Sequence, residues 1–244
     1  MKKTLGLILS FGLLMSQAIG QFATNGSANA MAGCNQFEIT ANTANLTGSL
    51  NSLVPVDLTT NFSLAFKVKF GCDDFGGEGM AFVLQPAAWA TGAGGFGLGY
   101  SGLTNTIAVE FDTRDNQGSG QTTNWDIAGD HISLMSNGVI DHSSPSCLTG
   151  LPLDPISTLT GDVEDCAEHL VEIVWTPGAA QTITVNVDGA QSLTYTGDMI
   201  NNDLGGATNV NWGWTGSTSA FSNQQTVELA LCPFFTYSPT NCPG

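Results

Sequence analysis

Basic residues are scarce in this chain. Of its 244 residues only 5 are lysine or arginine, whereas 21 are aspartate or glutamate. Lys2 and Lys3 lie in the first segment, so Lys67, Lys69 and Arg114 are the strong bases of the remainder, whose net charge is −18. Because such a chain repels phosphate backbones, the composition argues against a nucleic-acid partner. The charge is compatible with bound cations, with neutral ligands, or simply with a soluble exported surface.

Long apolar runs are also missing beyond residue 20. Residues 1–20 have the features of a secretory signal peptide: two lysines, an apolar run from Leu5 to Leu14, and Ala18-Ile19-Gly20 before Gln21. That run is too short for a permanent membrane-spanning helix, and no later segment is long enough, so we predict no membrane span. We expect a protein that is secreted or displayed at the cell surface.

The remaining length fits one domain with a large core. We predict four parts in chain order, namely a signal peptide at 1–20, a flexible mature N-terminus at 21–33, one domain at 34–237, and a tail or linker stump at 238–244.

No cysteine pair has the Cys-x-x-Cys spacing of a zinc site. The six cysteines all follow the signal peptide and are Cys34, Cys72, Cys147, Cys166, Cys232 and Cys242. An even number in an exported protein predicts disulfides, although six cysteines allow 15 connectivities. Because Cys147 and Cys166 bracket a segment rich in proline, glycine and aspartate, we favour them as a local pair.

No stretch after the signal peptide has the 3.6-residue period of an amphipathic helix. Apolar residues from Phe62 to Phe70 instead alternate with small or charged ones, which is typical of a half-buried strand. A second alternating run at 183–187 leads through Asp188-Gly189 into 192–195, which predicts a hairpin. Further strands are predicted at 169–175 and 225–232. The predicted fold class is all-β, with two antiparallel sheets packed as a sandwich.

Oxygen-bearing side chains are concentrated in one short part of the chain. Glu110 and Asp112 are two residues apart, so on a strand they leave the same face. Asn116 and Asp126 come from the loop that follows, and His131 begins the next predicted strand. Carboxylate, amide and carbonyl oxygens suit Ca²⁺, and a histidine added to carboxylates suits Mn²⁺ or a similar transition metal. The simpler interpretation is an acidic surface loop.

Four segments, in this order, resemble those of the L-type (legume-lectin-like) lectins, especially their bacterial members. They are Gly76-Gly77-Glu78-Gly79-Met80-Ala81-Phe82-Val83-Leu84-Gln85, Gly94-Gly95-Phe96-Gly97-Leu98-Gly99-Tyr100, Val109 to Asn116 with Asp126 and His131, and Trp212-Gly213-Trp214-Thr215-Gly216-Ser217-Thr218. The resemblance covers roughly residues 34–235. It implies a concanavalin A-like jelly-roll sandwich with a shallow sugar site at one edge, built over a pair of metal ions. It also allows a homodimer, since such sandwiches often pair through their flat sheets.

The resemblance implies which residues hold the two metals. Ca²⁺ would be held by Asp112, the Arg114 carbonyl, Asn116 and Asp126. The transition metal would be held by Glu110, Asp112, Asp126 and His131. Asp115 and Asp130 remain alternative ligands.

The resemblance also implies a carbohydrate-binding set. It consists of Glu78, Gly95, Gly97, Arg114, Asn116, Ala220, Phe221 and Ser222. In the family the metals fix the loop that binds the sugar, and the peptide bond equivalent to Gly77–Glu78 is cis. Two positions depart from the family pattern: Glu78 replaces an aspartate, and Arg114 stands where an aromatic ring usually stacks on the sugar. These departures leave the identity of the sugar open.

Several residues carry two interpretations. Arg114 could contact an acidic or heavily hydroxylated glycan, or form a salt bridge to Asp115 or Asp130. Trp89 or Phe221, in predicted loops, could replace the missing stacking ring. Trp212 and Trp214 share a strand face and are expected in the core rather than against a sugar. His142 and His169 are expected to be ordinary surface or strand-end residues.

The resemblance favours a Ca²⁺-dependent protein that binds glycans, such as polysaccharides or glycoconjugates, without altering them. One alternative is an adhesion module in which Ca²⁺ only stiffens the fold. Another is a glycoside hydrolase on the same fold, but Glu110-Phe111-Asp112-Thr113-Arg114-Asp115 lacks the final glutamate of the β-glucan hydrolase motif. The chain also lacks a Gly-x-Ser-x-Gly elbow and a His-Glu-x-x-His helix. We therefore do not expect an enzyme.

Overall fold

The computed structural model describes residues 22–32, 35–117, 126–150 and 162–231. This part of the chain is built from β-strands, with a single helical turn, α1 (Met199–Asn202), and one 3₁₀ turn at Gly95–Gly97. The strands are β1 (Phe22–Gly26), β2 (Asn29–Ala30), β3 (Gln36–Thr40), β4 (Thr47–Ser52), β5 (Val56–Asp57), β6 (Phe62–Lys69), β7 (Gly79–Gln85), β8 (Ile107–Asp112), β9 (His131–Ser136), β10 (His169–Thr176), β11 (Gln181–Val187), β12 (Ala190–Gly197), β13 (Asn209–Ser217) and β14 (Gln225–Leu231).

The strands form two antiparallel sheets, so the predicted all-β sandwich is confirmed. The first sheet has the order β1-β4-β13-β7-β8-β9, with β5 paired to β13. The second has the order β12-β11-β10-β6-β14-β3-β2. The predicted hairpin is present as β11 and β12, with Asp188 and Gly189 both at positive φ in the turn. Among the described residues, no helix is both long and apolar enough to cross a membrane.

The main core lies between the two sheets. On β6 the alternation predicted from the sequence buries Phe62, Leu64, Phe66 and Val68, while Lys67 is exposed. The rings of Phe66 and Trp214 meet edge to face at a centroid distance of 5.3 Å across the sandwich. Trp212 and Trp214 are both fully buried, which confirms their assignment to the core. Large aromatic side chains at this depth each bury a large apolar area, which helps to hold the sheets together.

A second, smaller apolar cluster covers the outer face of the first sheet. It includes Leu98, Tyr100 and Cys147 from covering loops, packed against Ala81, Val83, Ala108 and Met135 of the strands. As a result β8 is covered on both faces, and all six of its residues are buried. Val109 and Phe111 face the main core, whereas Glu110 and Asp112 lie on the covered outer face with Ala108. The fold thereby buries two acids in an enclosed space.

The disulfide arrangement differs from the predicted one. Cys166 is bonded to Cys72 across 94 residues, and Cys147 is a buried free thiol. The predicted Cys147–Cys166 pair is wrong because Cys147 packs beside β9, in a bridge with Met135, whereas the backbone of Cys166 donates to the Gly71 carbonyl. Cys34, Cys232 and Cys242 lie outside the described residues.

The N-terminal segment also differs from expectation. Residues 22–26, predicted to be part of a flexible N-terminus, form β1 and pair along β4. Phe22 stabilises this edge strand by packing on Trp212 and Phe37. The predicted signal peptide at 1–20 and the predicted tail at 238–244 lie outside the described residues.

Candidate functional site

Four strand ends meet in one row at an edge of the first sheet. Ser217 at the end of β13 pairs with Gly79 at the start of β7, which pairs with Asp112 at the end of β8. Asp112 in turn pairs with His131 at the start of β9. Glu78 immediately precedes β7, and its N–H donates to the Ser217 carbonyl. Segments far apart in the sequence are therefore placed side by side, as the predicted site requires.

Two histidines and one glutamate converge on the covered outer face. The Nε2 atoms of His131 and His142 are 3.2 Å apart, and His142 Nε2 hydrogen-bonds to a carboxylate oxygen of Glu110. His131 Nδ1 donates to the Gly129 carbonyl at 3.0 Å, which directs Nε2 into the cluster. The ligand atoms of Glu110, His131 and His142 all lie within 4.8 Å of one another. Mixed imidazole and carboxylate donors at this separation suit a transition metal.

His142 was expected to be an ordinary surface or strand-end residue, and the structure shows otherwise. It is 3 % exposed and belongs to the loop that covers β9. Tyr100, from the other covering loop, donates its hydroxyl to the second oxygen of Glu110. No sequence spacing links Tyr100 or His142 to Glu110, because covering loops bring them there. His169 is a strand-end residue as expected, held by Asp188 and Asp165.

Asp112, Asn116 and Asp126 form the oxygen-rich half of the site. Asp112 Oδ1 accepts from the Arg114 N–H at 2.9 Å, and Asp126 accepts from the Asn116 N–H. The ligand atoms of Asp112, Asp126 and His131 lie within 4.8 Å of one another. The predicted metal ligands are thus gathered in one place.

A cavity of about 10 Å³ lies inside this group. Its lining consists of Phe96, Glu110, Asp112, Asn116, Asp126, Ile140 and His142. This volume corresponds to about one water-sized sphere. The donors present, three carboxylates, an amide and an imidazole, fit a small cation better than a neutral occupant.

The electrostatics of the two halves differ. Burial, together with the charges of Asp126 and Glu110, raises the pKa of Asp112 well above its usual value. Burial also raises the pKa of Asp126. For Glu110 burial acts in the same direction, but the hydrogen bond and charge of His142, with His131 and Tyr100, outweigh it and lower its pKa. The charges of His131 and His142 also act on Asp126, but there they do not outweigh burial, and Asp112 is surrounded mainly by other acids.

The residues predicted to contact a sugar border this group. The Asn116 side-chain amide donates to Glu78 Oε2 at 2.8 Å and to the Arg114 carbonyl at 3.1 Å. The Gly77–Glu78 peptide bond is cis. Glu78 is only 1 % exposed, so its carboxylate lies beneath the surface rather than on it.

The two loops beside Glu78 are held by β13. Gly95 and Gly97 lie in the 3₁₀ turn, whose Gly95 carbonyl accepts from the Ser217 hydroxyl at 2.6 Å. The Gly97 N–H donates within the turn to Gly94. Ala220 is exposed at the tip of the loop after β13, and the Ser222 hydroxyl donates to Asn42. Ser217 thus joins the 3₁₀ turn to the Glu78 backbone, while Ala220 and Ser222 lie in the loop that follows β13.

Arg114 does not form the salt bridge to Asp115 or Asp130 that was one of its two expected roles. Its guanidinium lies 3.1 Å from the ring centroid of Phe221 and donates to the carbonyls of Phe75 and Gly76. Within the described ranges it has no salt bridge to an acid. Phe221 remains 44 % exposed, so the pair forms a flat apolar and cationic surface at the rim. Trp89 instead donates its indole N–H to Ser49 on β4, away from Glu78.

The two alternative metal ligands point elsewhere. Asp115 accepts from the Gln117 N–H at the surface. Asp130 accepts from the Val163 N–H at 2.7 Å and forms a separate group with Asp162 and Glu164, whose ligand atoms lie within 4.8 Å of one another. Burial and the charge of Asp130 raise the pKa of Glu164 to about 9.

Solved structures of lectins share this fold. The lectin from Bauhinia forficata in complex with GalNAc superposes with a TM-score of 0.67 at 18 % identity, covering 87 % of this chain and 91 % of that one. The metal-free form of lectin I-B4 from Griffonia simplicifolia gives a TM-score of 0.64 at 19 % identity, covering 88 % and 93 %. The exoplasmic/lumenal domain of VIP36 in its Ca²⁺/Man3GlcNAc-bound form gives a TM-score of 0.58 at 16 % identity, covering 91 % of this chain and 87 % of that one.

The sequence itself matches a defined family over most of its length. The profile of the legume lectin β-barrel domain matches residues 15–231, which include both sheets and every residue of the candidate site. The chain therefore belongs to the legume lectin β-barrel domain family, the L-type lectins.

Proposed function

We propose that this protein binds glycans without altering them, at a site that Ca²⁺ and a transition metal organise. The observation that carries the proposal is the Asn116 side chain, which reaches from the metal-binding loop to Glu78 at 2.8 Å. An ordered loop 112–116 therefore positions the amide and the carboxylate together. The lectin family and its lectin neighbours support carbohydrate binding and a non-catalytic role.

Asp112, Asn116, Asp126 and the Arg114 carbonyl would hold Ca²⁺. This ion would supply the positive charge that keeps buried carboxylates ionised. The backbone of this loop folds around the two carboxylates, because the Arg114 N–H donates to Asp112 and the Asn116 N–H donates to Asp126. Asn116 and Glu78 then offer a donor and an acceptor to adjacent sugar hydroxyls.

Glu110, Asp112, Asp126 and His131 would hold the transition metal, and His142 adds a second imidazole to the set. Two imidazoles with carboxylates favour Zn²⁺ or a similar ion more strongly than one imidazole does, whereas Mn²⁺ suits carboxylate-rich sites. The role of Tyr100 is to orient Glu110 through its hydroxyl.

Affinity for a single sugar is expected to be low. The rim has two exposed aromatic rings, Phe221 under the Arg114 guanidinium and Phe75, whose carbonyl accepts from Arg114. A shallow polar site of this kind corresponds to a dissociation constant of about 0.1–1 mM. Useful affinity would then come from multivalent glycans and from export of the protein to a surface where they are dense, as residues 1–20 predict.

One observation favours a second candidate function. Because Glu78 is almost completely buried, its carboxylate is less accessible than a sugar-binding acid should be. A structural adhesion module, in which the metals stiffen the fold and no sugar binds, would have this feature. The two functions predict different results for the same experiment.

The test is a glycan array with the secreted chain, in Ca²⁺ with Mn²⁺ or Zn²⁺ and again after EDTA. We expect binding to a defined group of glycans that is lost with EDTA and in Glu78→Ala. Glu172→Ala, on β10 of the other sheet, is the matched control and should bind normally. Absence of binding by a folded, metal-loaded chain would favour the structural module, and binding that EDTA leaves intact would contradict the metal-organised site.

A further inference from the structure

A second group of acids lies on the opposite side of the row of strand ends. Asp112 at the end of β8 pairs with His131 at the start of β9. Thr113 comes directly after Asp112, and Asp130 directly before His131. Because side chains alternate along a strand, Thr113 and Asp130 face the side of the sheet opposite to Asp112 and His131. There they meet Asp162 and Glu164, from the segment before β10 in the second sheet. One carboxylate oxygen of each acid lies within 4.8 Å of the other two.

These acids are oriented by backbone and amide donors. The Val163 N–H donates to Asp130 Oδ2 at 2.7 Å, and the Glu164 N–H donates to Asp162 Oδ1 at 2.8 Å. Asn223 Nδ2 donates to Glu164 Oε1 at 3.3 Å. One oxygen of each carboxylate is thus fixed by a hydrogen bond, which leaves the other oxygen for a further ligand.

Two buried oxygens in this group have no hydrogen-bond partner within the part of the chain that the structure describes. They are Glu164 Oε2, on a residue that is 2 % exposed, and the hydroxyl of Thr113, on a residue that is 3 % exposed. Thr113 and Asp130 both lie close enough to the Glu164 carboxyl to affect its pKa, Thr113 lowering it and Asp130 raising it, but neither offers Oε2 a well-formed hydrogen bond. A buried acceptor without a partner is costly, and more so when it is charged, so these atoms call for a partner such as a water or an ion.

No positive charge compensates the group. Among the described residues none of the three acids forms a salt bridge, and Asp74 adds further negative charge near Asp130. Buried, unpaired charges are costly unless they are neutralised by a proton or by a cation. Three carboxylates and a hydroxyl are all hard oxygen donors, which favours Ca²⁺ over transition metals.

We propose that Asp130, Asp162, Glu164 and the Thr113 hydroxyl form a Ca²⁺ site distinct from the one at Asp112 and Asp126. The spacing agrees, since two oxygens bound to one Ca²⁺ at about 2.3–2.6 Å can be no more than about 5 Å apart. Asp130 and His131 are consecutive, so neighbouring residues serve separate ions on opposite faces of one sheet edge.

Such an ion would join segments that border the sugar-binding region. Asn223, which holds Glu164, also accepts from the N–H groups of Cys72 and Asp73 and donates to the Asp73 carbonyl. The segment beyond Asp73 supplies the Phe75 and Gly76 carbonyls that hold Arg114. A cleft of about 260 Å³ between these segments is lined by Asp74, Phe75, Thr113, Arg114, Asp115, Gly129 and Asp130. The site would therefore stiffen the loop that ends at Glu78.

The experiment counts Ca²⁺ ions bound by the EDTA-treated full chain, by isothermal titration with CaCl₂. The test variant combines Asp162→Asn with Glu164→Gln, and the matched control is Glu172→Gln on β10. Both test substitutions remove charge without changing size, so we expect the variant to fold, which circular dichroism checks. We expect it to bind one Ca²⁺ per chain fewer than the wild-type chain and the control.

A second variant tests whether the two Ca²⁺ sites are separate. Asp112→Asn alone should still bind one Ca²⁺, and this remaining equivalent should be lost when Asp162→Asn and Glu164→Gln are added. Equal stoichiometry in the wild-type chain and the Asp162→Asn, Glu164→Gln variant would overturn the proposal and would mean that protons neutralise the group. Because the readout is metal stoichiometry, the result is independent of whether the chain binds a sugar.

Discussion

Two buried acid groups flank the start of β9, and they differ in what neutralises them. Glu110 is enclosed by His131, His142 and Tyr100, which engage both of its oxygens and lower its pKa. Glu164 is about equally buried but keeps an unpartnered oxygen beside Asp130, and its pKa is raised to about 9. Similar burial thus gives opposite pKa shifts. The neighbouring groups, rather than depth, decide whether a carboxylate is ionised and whether it needs a cation.

The largest effect is expected from a substitution of His142, which hydrogen-bonds to Glu110. His142→Ala removes the nearest basic partner of buried Glu110 and should lower the free energy of unfolding of the metal-free chain by up to about 3 kcal/mol, because the carboxylate keeps only the Tyr100 hydroxyl and the more distant His131. It should also weaken Zn²⁺ binding by about 10–100-fold, which competition titration measures. His169→Ala is the control for metal affinity, since the ring nitrogens of His169 bond to Asp165 and Asp188 rather than to Glu110. Unchanged Zn²⁺ affinity in His142→Ala would remove this histidine from the site.

The pH dependence of stability should distinguish Glu164, whose pKa is raised, from Glu110, whose pKa is lowered. The folded pKa of Glu164 is about 9 against an ordinary value of 4.5, so the folded chain holds more protons than the unfolded chain between these values. Stability of the EDTA-treated chain should therefore fall as the pH rises through this window, by up to about 1.4 kcal/mol per pH unit for one such group.

Urea unfolding at pH 5, 7 and 9 measures this slope. The buried acids Asp112 and Asp126 have raised pKa values and act in the same direction, so Glu164→Gln should reduce the slope rather than abolish it. Saturating Ca²⁺ should reduce it further. A Glu164→Gln chain with the wild-type slope would show that Glu164 is ionised when the chain is metal-free.

The smallest expected effect concerns the rim. There the Arg114 guanidinium lies over the Phe221 ring. A double-mutant cycle with Arg114→Met and Phe221→Leu should give a coupling of about 0.5–1 kcal/mol in stability, measured by urea unfolding. Zero coupling would mean that the carbonyls of Phe75 and Gly76 alone position the arginine.

The fold and half of the site could be predicted from the sequence because both depend on short-range periodicity. Alternation from Phe62 to Phe70 specifies which face of β6 is buried, and a spacing of two places Glu110 and Asp112 on one face. The motif order added Asn116, Asp126 and His131, which the structure brings together.

Contacts between distant segments were decided by the tertiary structure alone. Tyr100 and His142 reach Glu110 because covering loops close over the outer face of the sheet, and Cys166 meets Cys72 rather than the nearer Cys147. The group formed by Asp130, Asp162 and Glu164 exists only because the two sheets pack with these segments in contact. Periodicity specifies the direction of a side chain along its own strand, whereas the partner that it meets depends on loop closure and sheet packing, which no local spacing encodes.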